Sequence, residues 1–204
     1  METQLKRREI LKTGMAAAII GGLGVSTTTS SAETMDQAIL QKAYDNGFQF
    51  EKDYHGCAQC VVGAVYTLFP EMRSEDIFRA ANAQGGGMGL TSKGQCGATV
   101  GAGMILSQLY GRSLGGIQDP EKKRFVAYQL GAEFTKRFLE QFKSLTCGEI
   151  QKMKMGRSFN LLDRNDWAVF ESLGGHNKHC PDVVGSATKI VVQMIMEQKS
   201  NQKS

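Results

Sequence analysis

Five cysteines and one glycine-rich loop are the residues of this chain best suited to chemistry. The loop runs Gly85-Gly86-Gly87-Met88-Gly89-Leu90-Thr91-Ser92-Lys93-Gly94-Gln95 directly into Cys96. Glycine tolerates positive φ and lets a backbone come close to what it wraps. The small, apolar stretch after Cys96, as far as Tyr110, reads as a helix, so Cys96 falls at a helix N-terminus. Unpaired N–H groups and the positive end of the helix dipole favour a thiolate there. That combination suits redox or metal chemistry. It does not suit a phosphate loop, because the Gly-Lys-Ser/Thr ending is missing and Lys93-Gly94 stands in the reverse order.

The other cysteines repeat the placement. Cys57 follows Gly56 at the start of an apolar run, Cys147 follows a Thr146 cap, and Cys180 precedes Pro181 at the cap of the last helix. If these four helix starts converge, they build a positively polarised pocket whose N–H groups can hydrogen-bond the sulfurs of an anionic cluster. Cys60 completes Cys57-Ala58-Gln59-Cys60, a C-x-x-C with no thioredoxin-like βαβ context and no following histidine. At i and i+3 it either reaches the same site, forms a strained disulfide, or packs as a small apolar residue. His176 and His179, beside Cys180, offer a mixed His/Cys metal centre, with His179 the nearer candidate ligand. Gly174-Gly175 and Lys178 favour a plain solvated loop there. His55 either lowers the pKa of Cys57 or faces solvent. The long gaps 60–96, 96–147 and 147–180 fit neither a zinc ribbon nor ferredoxin spacings, so any shared site is assembled by tertiary folding.

No Ser/His/Asp or paired-carboxylate constellation appears, and Glu149 reads as the fourth member of a Thr146 capping box. The chain therefore reads as an electron-transfer protein or oxidoreductase accessory rather than a stand-alone enzyme.

The elements that must position these residues are helical. Met35 to Phe50 has apolar residues at helical spacing, and Ala58 to Phe69 is stopped by Pro70. Ser74-Glu75-Asp76 caps a helix through Ala83, and the helix after Cys96 ends at Gly111. Asp119-Pro120 opens a long helix whose inward residues are expected to be Phe125, Ala132 and Phe138. Short helices follow from Thr146 and over Asp163 to Leu173. The last starts at Pro181 and buries Val184, Ala187, Ile190, Val191, Met194 and Ile195. No strand pattern appears. The expected fold is all-α, a single domain of about seven or eight helices over residues 33–197, with a polar, frayed tail at 198–204. Small residues from Gly97 to Gly103 permit close helix packing, within a subunit or between the copies of a homodimer.

Residues 1–32 read as a leader. Lys6-Arg7-Arg8-Glu9-Ile10-Leu11-Lys12 is a twin-arginine pattern. Thr13 to Val25 is too short and too glycine-diluted to span a bilayer, which takes about 20 apolar residues. Ser30-Ser31-Ala32 resembles a small-x-small cleavage site, so the mature chain is expected to start near Glu33. The expected address is the periplasm, reached folded through the twin-arginine translocase, where disulfides are permitted. The net charge of +4 leaves 20 basic against 18 acidic residues once the leader is set aside, no footprint for nucleic acid.

Gly56-Cys57-Ala58, the Gly85–Gly89 loop, Cys96-Gly97-Ala98-Thr99-Val100-Gly101 and the single cysteines 147 and 180 together resemble the redox-active family named after its pattern C_GCAxxG_C_C. The resemblance covers roughly residues 40 to 197. It maps the family's four cysteines onto Cys57, Cys96, Cys147 and Cys180, and leaves Cys60 outside. The chain is also similar to the non-haem domain of split-Soret cytochromes c, which carries an iron–sulfur cluster. No C-x-x-C-H occurs here, so covalent haem is not expected. The resemblance implies a [2Fe–2S] or [4Fe–4S] cluster on those four cysteines and a periplasmic redox partner. Gly86, Gly87, Gly94 and Gly97 would bring backbone close to it. Thiol–disulfide exchange without metal, a domain braced by two disulfides, and a zinc site are the alternatives.

Overall fold

The structure is a computed structural model that describes residues 27–201, with side chains from 34 onward. The leader lies outside the described residues except for its last six positions, and so does the end of the tail from 202. Among the described residues eight α-helices follow one another: α1 (Thr27–Tyr54), α2 (Cys57–Leu68), α3 (Glu75–Ala80), α4 (Gly97–Tyr110), α5 (Lys123–Phe142), α6 (Cys147–Met155), α7 (Arg164–Ser172) and α8 (Cys180–Asn201). Among the described residues there is no strand, only an isolated antiparallel bridge between Gln95 and Thr146. The all-α expectation holds. No described helix is long and apolar enough to cross a membrane.

The centre is the pairing of α1 with α8, flanked by α2 and α4. Small residues let the paired helices meet at backbone distance. A Cβ on Gly47 would lie 2.9 Å from the Val184 carbonyl oxygen, and one on Gly185 would lie 2.8 Å from that of Tyr44. Ala43 and Ala187 are fully buried in the same seam. Its rim is tied by Tyr44, whose hydroxyl donates to Asp182 at 2.8 Å, while Lys154 pairs with the other Asp182 oxygen at 2.6 Å. The inward residues expected of the last helix are all buried, from Val184 to Ile195.

Several local expectations are corrected. The long helix starts at Lys123, not at Asp119-Pro120, because Asp119 and Lys122 both adopt positive φ and turn the chain first. The Asp119 carboxylate still accepts the Arg124 N–H at 3.3 Å. Phe125 and Ala132 are exposed; the buried row is Leu130, Phe134, Phe138 and Phe142, a strict i, i+4 stripe. α3 stops at Ala80 and gives way to a 3₁₀ turn over Asn82–Gln84. The segment before α8 is a π-helical turn, Gly175–His179, and not a solvated loop. α8 itself continues to Asn201, through the first residues of the expected frayed tail.

Candidate functional site

Three helix starts carry cysteines as expected, while Cys180 opens α8 with its N–H already bonded to the Gly175 carbonyl of the preceding π turn. Cys57, Cys147 and Cys180 are the first residues of α2, α6 and α8, and Cys96 is the N-cap of α4. They converge: all four line one cavity of ≈ 190 Å³. Two consecutive left-handed residues, His55 (φ 58°) and Gly56 (φ 93°), fold α1 back into α2. That reversal sets Glu51, on the last turn of α1, against Cys57: Glu51 Oε1 and Cys57 Sγ share a hydrogen bond at 3.3 Å. Leu90, Ile150, Leu161, Val183 and Val184 supply the apolar wall.

The glycine loop is stitched to the start of α6. Gly86, Gly87, Met88, Gly89, Leu90 and Ser92 all have positive φ. The coil is closed by Ser92 N–H to Gly86 C=O at 2.8 Å and Gly94 N–H to Gly87 C=O at 3.0 Å. The first N–H groups of α6 then donate to the loop, Cys147 to the Gly94 carbonyl at 3.0 Å and Gly148 to that of Ser92 at 2.8 Å. This replaces the expected capping box: the Thr146 side chain caps nothing, and Glu149 pairs with Lys152. Of the four glycines singled out in the sequence, Gly86 lines the cavity and its N–H helps lower the Cys57 pKa. The others hold cysteines in place by close packing. A Cβ would meet Cys147 Cβ at 2.7 Å from Gly87, the Gly87 carbonyl oxygen at 2.8 Å from Gly94, and Cys57 Cβ at 3.0 Å from Gly97.

The thiols are free and unequal. The Cys180 thiol holds Cys57 down at about 6 against its burial, with help from the Gly86 N–H and Glu51. The same pairing, then burial, pushes Cys180 well up. Burial, then the neighbouring Cys57, drives Cys96 well above the usual thiol range. Cys147 is pushed up to about 12, chiefly by burial; the nearby Ser92 hydroxyl, buried without a hydrogen-bond partner, works against that rise. Gln151 Nε2 donates to the Cys147 sulfur at 3.7 Å. Glu51 is fully buried, and burial, then Cys57, raises its carboxyl well above the usual range. No lysine or arginine lines the cavity. One anion is therefore stable in the metal-free site, and it sits at Cys57, hydrogen-bonded to Glu51 and favoured by Cys180.

An aromatic group closes one side. His55 and His176 stack with ring centroids 3.9 Å apart and planes 11° from parallel. Trp167 and Phe170 pack on His176, whose Nδ1 bonds Glu171. His55 is exposed, so the cavity wall reaches the surface there. Burial lowers the His176 pKa below the usual histidine range.

Two sequence candidates stand apart from the cavity. The Cys60 thiol is buried and donates to the His55 carbonyl at 3.2 Å; burial, then Glu51, drives its pKa far up. His179 lies in a surface groove beside Lys154 and Asp182. Sequence reasoning missed Glu51, Gln151, Trp167 and the His55–His176 stack. For Glu51 the signal was present: it follows Ala43 and Gly47 at steps of four, on the face of α1 that packs against α8.

Two observations bear on what the cavity can hold. Among the described residues, no three His, Cys, Asp or Glu side chains stand close enough to share a single metal ion. The four sulfurs are instead spread over the wall of a space many times the ~10–15 Å³ that one water requires. The donor set, four thiols with no lysine or arginine in the lining, suits a positively charged group of several atoms.

A family model described as "Putative redox-active protein (C_GCAxxG_C_C)" matches residues 55–194. No curated protein and no solved structure matches the chain.

Proposed function

The chain belongs to the C_GCAxxG_C_C family of redox-active proteins, and from that premise we propose that it is an exported carrier of an iron–sulfur cluster, held by Cys57, Cys96, Cys147 and Cys180. The observation that carries this reading is the lining of one cavity by those four cysteines, each at a helix start. When bound, the cluster supplies a one-electron reservoir. The N–H groups of Gly86 and Ala98, which favour the thiolates of Cys57 and Cys96, would draw electron density from a bound cluster and raise its potential. Leu90, Leu161 and Val184 keep water from the sulfurs. A periplasmic redox partner would exchange electrons at the His55 side, where the wall meets the surface.

Anaerobic purification of the full chain, with an absorption spectrum and iron and acid-labile sulfide assays, tests the proposal. Brown protein with stoichiometric iron and sulfide is expected; colourless protein after cluster reconstitution overturns it. Cys96→Ser should lose or destabilise the cluster, and a full iron complement in that variant removes Cys96 from the ligand set. For the export part, replacing Arg7 and Arg8 together by lysine should retain the protein in the cytoplasm; unchanged fractionation counts against the twin-arginine route.

The Cys57 thiol, held at about 6 chiefly by the Cys180 thiol, favours a second reading, thiol–disulfide exchange. The Cys57 thiolate would attack a substrate disulfide, releasing one substrate thiolate and leaving a mixed disulfide. Cys180 would then give up its proton to the departing thiolate and displace the second substrate sulfur, closing a Cys57–Cys180 bridge. Mass mapping of oxidised, metal-free protein separates the readings: a reversible 57–180 bridge without bound iron supports exchange.

A further inference from the structure

Glu51 is the one polar group of the cavity left without an explanation. Its side chain is fully buried, Oε1 is engaged with Cys57, and Oε2 has no hydrogen-bond partner. Cys60, beside it, donates to the His55 carbonyl at 3.2 Å, and two polar side chains of the cavity are satisfied. Gln151 accepts the Phe159 N–H at 2.9 Å and donates to Cys147, while His176 is held by Glu171. The other buried side-chain oxygens without a partner among the described residues, Ser92 Oγ and Asp119 Oδ1, do not line the cavity. Burying a carboxyl oxygen with nothing bound to it is costly, and such a group calls for an ion or other partner. No lysine or arginine lines the cavity to serve. Carboxylate oxygen is a good donor to iron and a poor neighbour for thiolates unless a cation stands between them.

We propose that Glu51 is a fifth ligand residue of the site, binding an iron of the cluster through Oε2 beside Cys57. This rests on the cluster reading above and extends it from an all-cysteine site to a mixed sulfur and oxygen one. A carboxylate bound at one iron makes that iron unlike the rest, and its negative charge favours the oxidised cluster. Glu51→Gln removes the charge while preserving the shape and a hydrogen-bonding group toward Cys57.

The test loads wild type and E51Q with ⁵⁷Fe and sulfide and compares iron content, Mössbauer spectra and midpoint potentials. Wild type should show one iron subsite distinct from the others. E51Q should keep its fold by circular dichroism, lose the distinct subsite and shift to a higher potential. Equal iron content with superimposable spectra and potentials overturns the ligand role and leaves the cluster reading standing. Wild-type protein that takes up no iron overturns both. A readout that needs no folded variant is the ¹³C hyperfine coupling between the paramagnetic cluster and glutamate labelled at its side-chain carboxyl. Coupling of bonded strength is expected, and its absence in cluster-loaded wild type overturns the proposal.

Discussion

At the scale of single residues, the cavity gathers five acids where one charge is tolerated, and this has a measurable sign. Glu51 ionises near its ordinary 4.5 once the chain unfolds, but stays protonated well above that in the metal-free fold. The folded state then binds more protons than the unfolded one, so this group's contribution to stability falls as pH rises above about 4.5. Metal-free E51Q is therefore expected to melt higher than wild type at pH 7, with the gap closing near pH 4. Equal melting temperatures at both pH values would remove the buried acid from the stability balance. Cys57 runs the other way. Held at about 6 against an ordinary 9.0, it contributes stability that is present above pH 9 and lost as pH falls through about 6. Its alkylation rate in reduced, metal-free protein should rise through about pH 6, whereas Cys60, buried and outside the cavity wall, should label only on unfolding. Cys60→Ala should keep the full iron complement at a stability cost of about 1 kcal/mol; loss of iron in that variant would return Cys60 to the ligand set. The cysteines were legible in the sequence because few residue types do their chemistry. Glu51 was marked only by its place in the Ala43–Gly47–Glu51 series on the face of α1 that packs against α8, a signal outweighed because a glutamate near the end of a helix ordinarily faces water. His176 was misread for a similar reason: polar neighbours signal a loop, while Trp167 and Phe170, on another helix, bury it.

At the scale of elements, the helix starts were readable because punctuation residues mark them: Gly56 before α2, Thr146 before α6, Pro181 inside α8. How those starts are satisfied was not readable. The capping box at Thr146 gives way to loop carbonyls from Ser92 and Gly94, partners more than fifty residues away in sequence. The buried stripe of α5 was misassigned because apolar residues occupy two of its faces, and packing selected the Leu130–Phe142 row. The stitching of the glycine loop to α6 makes Gly87 a sensitive position. It has φ 70°, and a Cβ there would lie 2.7 Å from Cys147 Cβ. Gly87→Ala should cost about 2–4 kcal/mol, from left-handed strain plus overpacking, and should lower iron loading by displacing Cys147. Gly131, within α5, meets nothing within 4 Å. Gly131→Ala should stabilise by about 0.5–1 kcal/mol and leave loading unchanged. Chemical denaturation with iron assays on both variants separates a loop that positions a ligand from one that only connects helices.

At the scale of the whole molecule, the cavity is a junction. Residues from α1, α2, α6, α7 and α8, with the N-cap of α4, face it, and they come from positions 51 to 184 of the chain. The α1–α8 seam brings the two ends of the described chain together, so Glu51 and Cys180 meet only when the fold is complete. An unfolded chain cannot hold four sulfurs around one group at these separations, so whatever fills the cavity binds the folded state alone. At a concentration 1,000 times its dissociation constant, such a group stabilises by about 4 kcal/mol. A domain of this size moves by about 2–4 °C per kcal/mol, so anaerobic removal of iron by a chelator should lower the melting temperature by roughly 10 °C. Because the ligands span the helices of the core, the loaded protein should unfold in one transition, with iron release and loss of helix coincident. Colour lost well below the helical transition would instead mean a cluster attached to a fold already complete without it. The Glu51 and Gly87 variants then sort the contributions: E51Q should narrow the gap between loaded and metal-free melting temperatures by lowering the first and raising the second, whereas Gly87→Ala lowers both.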